Sequence, residues 1–226
     1  MKGLDQLCVI VPVLDRQDEL ARTLTELPPA GQVIVVDGGS SDESAGIALS
    51  AGATLVRSRA GRGHQMNIGA NGASAEWLLF LHADTRVDDA GWRAVADYIA
   101  DPSSAARAAT FRFALDDPSW QARLLALGVR ARVALLALPY GDQGLLIHRS
   151  LYEQVGGFAD VPIMEDVDLV RRLGRRRLAR LPGVAVTSAE RWRRRGWLRQ
   201  SAVNLLCLAR FALSASPRSI ARHYGR

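Results

Sequence analysis

The sequence predicts an α/β fold in which helices flank a mostly parallel central sheet. Continuous apolar runs at 7–14, 32–37 and 76–82 are typical of strands that are buried on both faces. Stretches with apolar residues at helical spacing separate these runs, as at 18–27 and 41–53. Strands and helices that alternate at such short intervals predict βαβ units, whose strands are parallel.

Local signals predict the limits of the elements in the first hundred residues. The first helix is expected to end at Pro28, because proline cannot continue a helix. The second is expected to begin after a capping residue, either Ser41 or Asp42. A short strand at 54–58 and a helix at 63–73 complete the pattern.

The pattern changes after residue 100. Alternating apolar and polar residues at 106–115 predict a half-exposed antiparallel strand, and a long helix is expected over 118–138. A further strand is expected at 144–148. The segment 165–173 has acids at its start and arginines at its end, the arrangement that a helix dipole favours.

Length and cysteine content limit the class of protein. The 226 residues suffice for one large domain with a full core, and we expect a single domain over 1–226. Cys8 and Cys207 both lie in apolar runs, which indicates buried, reduced thiols in a cytoplasmic protein. The beginning of the chain shows no secretory signal pattern, because Asp5 and Gln6 interrupt it.

Charge is distributed unevenly along the chain. Residues 1–170 contain 14 basic and 22 acidic residues, whereas 171–226 contain 15 arginines and a single acid, Glu190. Such a basic block indicates an anionic partner, for which a phosphorylated ligand and an anionic membrane surface are candidates; the alternative is a solvated arginine-rich surface. No nucleic acid partner is expected, because no aromatic stacking platform accompanies the arginines.

Two apolar segments are shorter than a membrane span requires. Arginines divide the segment 124–138, and Arg199 and Arg210 bracket the apolar part of 197–215. We expect both to be amphipathic or buried helices, which could lie on a membrane surface. A peripheral position at the inner face of the membrane is therefore a second possibility for the location.

Acidic and polar side chains follow three predicted strands at the point where each strand ends. Asp15 follows the first, Asp37 the second, and His82 and Asp84 the fourth. Ligands of open parallel sheets bind beyond the carboxyl ends of the strands, so we expect one shared site. His82 and Asp84 stand two residues apart on an extended chain, which predicts that both face the same side. Asp15 alone is better explained as a helix cap or turn residue.

The glycine-containing segment 35–44 indicates how a ligand is held. Gly38 and Gly39 permit a tight turn, and the following helix offers free amide donors. The segment is neither a P-loop nor a dinucleotide fingerprint, because the glycine spacing differs and no Gly-Lys-Ser/Thr follows. A carboxylate such as Asp37 can instead accept hydrogen bonds from a base or a ribose.

Five motifs in this order resemble the family 2 glycosyltransferases, which have the GT-A fold. They are VIVPVLD, VIVVDGGSSDES, FLHADT, GGF and MEDVDL. The blocks GRGHQMNIGA, GDQG and MEDVDL are similar to a small bacterial subgroup, the radical-SAM/selenodomain-associated transferases. The resemblance covers nearly the whole chain. It implies a nucleotide-sugar-binding lobe at 1–105 and an acceptor-binding lobe at 106–226 that ends in basic helices.

The resemblance also implies roles for individual residues. His82-Ala83-Asp84 matches the Asp-x-Asp motif that binds the metal and the diphosphate, and Asp166 matches the catalytic base. The implied nucleotide-sugar-binding residues are Pro12, Asp15, Asp37, Gly38, Asp42, Arg62, Asn67, His82 and Asp84. Weaker candidates for contact with the acceptor or the diphosphate are Asp142, Gln143, Glu165, Arg191 and Trp192.

Two positions depart from the family pattern. His82 stands where the first aspartate of the triplet is usual, and Asp15 where many relatives have asparagine. The resemblance implies Mn²⁺ or Mg²⁺ as a cofactor, with Asp84 and His82 as candidate ligands. Imidazole suits Mn²⁺ better than Mg²⁺. His82 therefore either binds Mn²⁺ or bonds to a phosphate or ribose, which would leave Asp84 as the sole protein ligand.

The implied activity is transfer of a sugar, hexosyl by resemblance, from a nucleoside-diphosphate sugar to an acceptor hydroxyl with inversion. The acceptor is not indicated, although a lipid-linked one would fit a membrane location. A nucleotide-sugar-binding protein without turnover is an alternative. A sugar-phosphate nucleotidyltransferase is less supported, because PVLDRQDE is not a glycine-rich loop. The segment 188–201, rich in Arg and Trp, is interpreted either as a loop over the diphosphate or as a basic surface turn.

Overall fold

The computed structural model describes residues 3–136, 138–213 and 216–224. Its strands, within these ranges, join in one sheet. They are β1 (Leu7–Val13), β2 (Gln32–Asp37), β3 (Thr54–Arg57), β4 (Trp77–Phe80), β5 (Thr85–Val87), β6 (Ala108–Leu115), β7 (Leu145–His148) and β8 (Leu178–Thr187).

Helices connect and cover these strands. They are α1 (Gln17–Thr25), α2 (Ser44–Ser50), α3 (Arg62–Gly72), α4 (Asp89–Ala100), α5 (Trp120–Leu136), α6 (Arg149–Gln154), α7 (Glu165–Leu173), α8 (Glu190–Arg195), α9 (Trp197–Ala212) and α10 (Pro217–Tyr224). Short 3₁₀ turns at Leu4–Gln6, Pro102–Ala106, Gly141–Gln143 and Arg175–Arg177 complete the described structure.

The sheet has the order β3-β2-β1-β4-β7-β6-β8-β5. Strands β3, β2, β1 and β4 are parallel, β7 runs antiparallel to β4 and β6, β8 is parallel to β6, and β5 is antiparallel to β8. The predicted α/β fold with a mostly parallel sheet is confirmed. The sheet passes through both predicted lobes, and the division at residue 105 remains a prediction.

Strand β1 shows why a continuous apolar run predicts a central strand. Leu7 and Val9 pack in the core on one face of the sheet, whereas Cys8 and Ile10 pack in the core on the other. Each residue of β1 is buried. Helices thus cover both faces, and only the strand ends remain available to a ligand.

The prediction that β4 extends to His82 is wrong. The strand ends at Phe80, and residues 81–84 form a turn that leads into β5, which the sequence did not predict. The two-residue repeat of an extended strand therefore does not explain how His82 and Asp84 are oriented. The turn itself orients them, as described below.

The strand predicted at 106–115 is present as β6, but it is not half-exposed. Most of its residues are buried, and Arg112 is its exposed residue. It pairs antiparallel with β7 and parallel with β8. Strand β8 was not predicted, because Pro182 and Gly183 are typical of a turn. The structure accommodates them at an irregularity in the β6–β8 register, between Thr110 and Arg112.

The two long apolar segments are helices, as expected. They form α5 and α9, although Ala137, Ser214 and Ala215 of the predicted ranges lie outside the described residues. None of the described helices is long and apolar enough to cross a bilayer. Cys8 and Cys207 are both buried, free thiols. Helix α2 begins later than predicted, with Glu43 rather than Ser41 or Asp42 at its N-cap.

Candidate functional site

The carboxyl ends of β1 and β2 form one edge of the candidate site. Asp37, the last residue of β2, is buried and accepts a hydrogen bond from the Ser40 amide at 2.9 Å. The Gly38 amide donates to the Val13 carbonyl at 2.9 Å, which draws the turn toward β1. A Cβ atom on Gly38 would lie 3.1 Å from Gln65 Nε2, so the turn fits tightly against α3.

Gln65 connects the two strand ends, a role that the sequence did not indicate. This buried side chain donates from Nε2 to the Val13 carbonyl at 2.9 Å and to the Val36 carbonyl at 2.8 Å. An unpaired carbonyl inside the protein is costly. Gln65 therefore satisfies two carbonyls where the sheet opens toward the ligand edge.

Hydrogen bonds to Asp15 and Asp42 connect the turns at the outer side of these strand ends. Asp15 accepts from the Ser41 amide at 2.7 Å and from its hydroxyl at 3.0 Å. Asp42 accepts from the Gln17 amide at 2.9 Å and from the Ser44 amide at 3.0 Å. These bonds hold the turns after β1 and β2 together, and a further role for Asp15 or Asp42 in nucleotide binding remains a prediction.

The turn between β4 and β5 positions His82 and Asp84. The Thr85 amide donates to the His82 carbonyl at 3.0 Å, and the hydroxyl of buried Thr23 donates to the Ala83 carbonyl at 2.8 Å. Ala83 packs into the core. With Ala83 held inward, the side chains on either side of it face the cavity described next.

One cavity brings together side chains from β4–β5, α3, α7, α8 and α9. Seven residues proposed from the sequence line it, namely Arg62, His82, Asp84, Asp142, Asp166, Arg191 and Trp192. The sequence did not indicate the others, which are Arg16, Tyr140, Ile163, Met164, Thr187, Ser188, Glu190, Asn204 and Cys207. Pro12, Asp15, Asp37, Gly38 and Asp42 lie apart from this lining, at the neighbouring strand ends.

Asp166 is held by two backbone amides at the start of α7. Its Oδ2 accepts from the Gly141 amide at 2.7 Å, and its Oδ1 accepts from the Val167 amide at 2.7 Å. Met164, the residue at the N-cap of α7, has a φ of 68°, a conformation that costs a non-glycine residue energy. The chain thus enters α7 under strain and presents a fixed carboxylate to the cavity.

His82 lies against the Gly141 segment. A Cβ atom on Gly141 would lie 2.5 Å from His82 Nε2, which is buried and has no hydrogen-bond partner among the described residues. Burial, together with the Arg62 charge, lowers the pKa of His82 to about 4, against the opposing effect of Asp84 and Asp166. The imidazole is therefore neutral at pH 7, and Nε2 is suited to accept a hydrogen bond or bind a metal.

Asp142 is a second carboxyl group at this cavity. Its Oδ1 is buried and lacks a hydrogen-bond partner within the described part of the chain. Burial, with the charges of Asp166 and Asp84, raises the pKa of Asp142 to about 6 against the opposing effect of Arg132. A carboxyl group with these properties changes its protonation close to neutral pH.

Glu165 and Arg62 form an ion pair beneath the cavity. Glu165 is 1% exposed, and Arg62 Nε lies 3.0 Å from its Oε1. Burial raises the pKa of Glu165, while Arg62 opposes the rise. A buried carboxylate that loses a partner of opposite charge is strongly destabilising, so the pair fixes Arg62 against α7.

Asn67 and Gln143 support the site from behind. Asn67 donates to the Phe158 carbonyl at 2.8 Å and accepts from the Phe158 amide at 2.9 Å and from the Tyr152 hydroxyl. Gln143 is buried and donates to the Phe111 carbonyl at 2.9 Å. Neither side chain lines the cavity, and direct contact with a ligand remains a prediction for both.

For the arginine-rich segment 188–201, each of the two interpretations fits some residues and not others. It is helical rather than a loop, since α8 occupies Glu190–Arg195. Trp192 packs in the core with Phe113, and Arg193 bonds to Asp117 at 2.8 Å, as a surface element would. Arg191 lines the cavity. Contact of this segment with a diphosphate therefore rests on Arg191.

A divalent cation would find few protein ligands here. Asp84 Oδ1 has 3.4 Å contacts with the hydroxyls of Thr85 and Thr187 and remains open to the cavity. Among the described residues, no group of three or more His, Cys, Asp or Glu side chains could hold a metal. One carboxylate suits a nucleotide-bound Mg²⁺ or Mn²⁺, which takes most of its ligands from phosphate and water. The residues present fit such an ion.

Replacing Gly141 by alanine should disturb the site without unfolding the protein. The added Cβ would meet His82 Nε2 at 2.5 Å, so that either the imidazole or the Gly141 amide must move. The hydrogen bond to Asp166 would then lengthen. We expect turnover to fall at least roughly tenfold, since small displacements of a reacting group are costly. Nucleoside-diphosphate release measures this effect. Gly72→Ala, where a Cβ makes an ordinary 3.7 Å contact with Ile34, is the matched control outside the cavity and should retain wild-type turnover.

Asp142→Asn should stabilise the folded protein at neutral pH. The raised folded pKa of Asp142, about 6, means that the folded state binds more protons than the unfolded state between about pH 4 and 6. Stability from this group is therefore lost as pH rises through 6. We expect the variant to melt about 2–4 °C higher at pH 7, for a gain on the order of 1 kcal/mol.

The difference should disappear below about pH 4, where Asp142 is protonated in both states. His82 acts in the opposite direction, because its lowered folded pKa of about 4 makes folding more favourable as pH rises. Melting curves of both proteins from pH 4 to 8 isolate the contribution of Asp142. An equal difference at every pH would show that its charge is not responsible.

Solved structures share this fold. Staphylococcus aureus TarS is 15% identical and superposes with a TM-score of 0.61, covering 89% of this chain and 39% of TarS. Glucosyl-3-phosphoglycerate synthase from Mycobacterium tuberculosis, solved with Mn²⁺ and UDP-glucose, is 17% identical with a TM-score of 0.58. That match covers 88% of this chain and 77% of the synthase.

Sequence comparison identifies relatives among glycosyltransferases. Uncharacterized glycosyltransferases of Mycobacterium tuberculosis and Mycobacterium bovis are 29% identical over 85 residues, which is 37% of this chain. The match spans 39% of the length of these relatives. The family model for glycosyl transferase family 2 matches residues 8–158, which include β2–β7 and the three strand ends that carry Asp15, Asp37 and His82-Asp84. With more than half of its length matched, the chain belongs to glycosyl transferase family 2.

Proposed function

We propose that the protein transfers a sugar, hexosyl by resemblance, from a nucleoside-diphosphate sugar to an acceptor hydroxyl with inversion. The main support is the cavity, whose lining includes both Asp84 of the β4–β5 turn and Asp166 of α7, in a chain of this family. Solved structures of the same fold bind UDP-glucose with Mn²⁺ or UDP-GlcNAc. The similarity of three blocks to the radical-SAM/selenodomain-associated subgroup belongs to the same proposal.

Asp166 is the candidate general base. In the reaction, the acceptor oxygen bonds to the anomeric carbon as the bond from that carbon to the diphosphate oxygen breaks. The acceptor proton passes to Asp166, and the nucleoside diphosphate leaves with the electron pair of the broken bond. The two amides bonded to Asp166 fix its direction, which a base must have to accept the proton in line. Attack from the face opposite the leaving group inverts the anomeric centre.

The part of the cavity that Asp84 lines would receive the diphosphate. A bound divalent cation would neutralise the negative charge that develops on the leaving group, and Asp84 would hold it. Neutral His82 can add a further ligand or accept a hydrogen bond from the donor. Arg191 offers a bidentate contact with phosphate oxygens from α8. Asp37 and Gly38, at the adjacent strand ends, are the candidates for the base and ribose.

A screen of nucleotide sugars tests the proposal. Thermal shift with Mn²⁺ or Mg²⁺ would identify the donor, and release of nucleoside diphosphate would then report turnover. A nucleotide-sugar-binding protein without turnover is the second candidate, because His82 replaces an aspartate and its Nε2 lies against Gly141. Donor binding without any metal-stimulated release would favour this second candidate.

Attachment to an anionic membrane surface is a further part of the proposal. Arg123 and Arg130 of α5 and Arg199 of α9 are exposed beside exposed leucines. Each basic residue near an anionic leaflet contributes about 1 kcal/mol. We expect sedimentation with phosphatidylserine vesicles at low salt and release at high salt, since screening shortens the range of the attraction.

Replacing these three arginines by glutamine should largely abolish the sedimentation. Replacing Arg22, Arg57 and Arg93, which are exposed elsewhere, should leave it intact. Arg193 is unsuitable for this test, because it is bonded to Asp116 and Asp117. If the wild-type protein stays in the supernatant at low salt, membrane attachment is excluded and a soluble acceptor is the better proposal.

A further inference from the structure

Helices α5 and α9 enclose an apolar groove that opens into the candidate site. The groove has a volume of about 790 Å³, within the range of ligand pockets in proteins. On α5 its lining recurs at helical spacing, at Trp120, Leu124, Gly128 and Arg132. The facing residues of α9 follow the same spacing, as at 197–208. The groove is therefore formed by one continuous face of each helix.

The groove exposes large apolar side chains to solvent on both of its walls. Large side chains on both walls are more than half exposed, namely Trp120 (68%), Leu124 (59%), Leu198 (89%) and Leu205 (65%). Contiguous exposed apolar surface of this kind marks a binding site. Gly128 adds space to the groove, since a Cβ atom at this position would meet no neighbouring atom within 4 Å.

The inner end of the groove is polar and continuous with the cavity of Asp166. Tyr140, Asp142, Trp192 and Asn204 line both spaces. A ligand in the groove would therefore extend directly to the two carboxyl groups at the reaction centre. This continuity favours a substrate over a partner protein or a second copy of the chain, neither of which would need a route to Asp166.

Arg132 places a positive charge where the apolar walls end. Its guanidinium lies 3.5 Å from the centre of the Tyr140 ring, and its Nε donates to the Leu138 carbonyl at 3.1 Å. Its buried NH2 nitrogen has no hydrogen-bond partner among the described residues. A buried donor on a cation favours an anionic acceptor group. The ligand that fits is therefore an amphiphile with an apolar chain and an anionic head.

We propose that this groove binds the hydrocarbon chain of a lipid acceptor whose phosphate-containing head lies at Arg132. The inference rests on the proposed glycosyl transfer, for which it names the class of acceptor. The apolar chain occupies the space between α5 and α9. The head then lies at the inner end, where one of its hydroxyl groups reaches the cavity of Asp166 while the phosphate stays at Arg132.

Binding of decyl phosphate, below the concentration at which it forms micelles, tests the proposal without any nucleotide sugar. Trp120, Trp192 and Trp197 line the groove, so intrinsic fluorescence reports occupancy. We expect saturable binding of decyl phosphate, weaker binding of 1-decanol, and none of inorganic phosphate. Arg132→Gln should reduce the affinity for decyl phosphate to that for decanol, and thermal melting would verify that this variant folds.

Gly128→Leu should weaken decyl phosphate binding at least tenfold, because the new side chain occupies groove space at a position where an added Cβ meets no atom within 4 Å. Ala131→Leu, on the exposed side of the same helix and outside the groove, should bind as wild type does. Equal binding by both variants, or no saturable change in the wild type, would overturn the proposal. So would a dimer in size-exclusion chromatography that Gly128→Leu dissociates. Release of nucleoside diphosphate from the donor, measured separately, shows whether the proposed transfer itself fails.

Discussion

Asp166→Asn is expected to slow turnover by roughly 10²–10⁴-fold, the usual contribution of a general base. Asparagine keeps the size of the side chain, and its oxygen can still accept the Gly141 amide, although its NH2 group cannot accept the Val167 amide. Thermal melting verifies that the variant folds. It cannot take the proton of the acceptor. Donor affinity should stay within about threefold of wild type, because the base faces the acceptor rather than the diphosphate. Nucleoside-diphosphate release and calorimetric donor binding measure the two effects separately.

Asp168→Asn is the matched control for this variant. Asp168 lies two residues further along α7 and is paired with Arg172 at 2.7 Å, outside the cavity. Its replacement removes a surface ion pair, which contributes little to stability. Turnover of the Asp168 variant should equal that of the wild type. If Asp166→Asn also turned over within about threefold of wild type, Asp166 would not be the base, and Asp142 would be the next carboxylate to examine.

The sequence predicted those parts of the fold that local patterns specify. Strands β1 and β2 have continuous apolar runs because helices cover both of their faces, and their limits match the prediction to within one residue. Helix α7 was predicted at 165–173 and occupies that range, because its charges follow the helix dipole. Patterns of this kind depend on burial and on local electrostatics alone.

Long-range pairing explains what the sequence did not predict. Strand β8 contains Pro182 and Gly183, a pair typical of a turn, yet the irregular pairing with β6 accommodates them in the sheet. The turn at 81–84 depends on Thr23, which bonds to the Ala83 carbonyl from α1, 60 residues away. Neither feature has a local signal from which it could be recognised.

The candidate site shows the same limit. His82, Asp84 and Asp166 were recognised because they belong to motifs in a family order. Tyr140 and Asn204 belong to no such motif, and they line the cavity because α9 packs against Tyr140 in one hydrophobic cluster with Val203 and Cys207. The groove between α5 and α9 was likewise not foreseen. The apolar residues of these helices predicted burial or a membrane surface, and the structure leaves several of them exposed along one channel.

Asp84→Asn is expected to abolish metal-dependent donor binding while leaving the fold intact. Its Oδ1 makes only 3.4 Å contacts among the described residues, so amide for carboxylate should cost little stability. The negative charge that attracts a divalent cation would be lost. Loss of groups that merely support a metal ligand typically reduces affinity 10–100-fold, and loss of a ligand should reduce it by at least about that amount. Calorimetry with the donor, at saturating Mn²⁺ and with EDTA, measures the metal-dependent part.

His82→Asn decides how many protein ligands the cation has. If the imidazole binds Mn²⁺, this variant should lose affinity in Mn²⁺ but little in Mg²⁺, because Mg²⁺ prefers oxygen ligands. If His82 bonds to the donor instead, the loss should be the same with either ion. The control for Asp84→Asn is Asp97→Asn, which removes one negative charge at an exposed position on α4. Should Asp84→Asn bind the donor in Mn²⁺ as tightly as the wild type does, Asp84 is not a metal ligand and the cavity would have to stabilise the leaving group through Arg62 and Arg191.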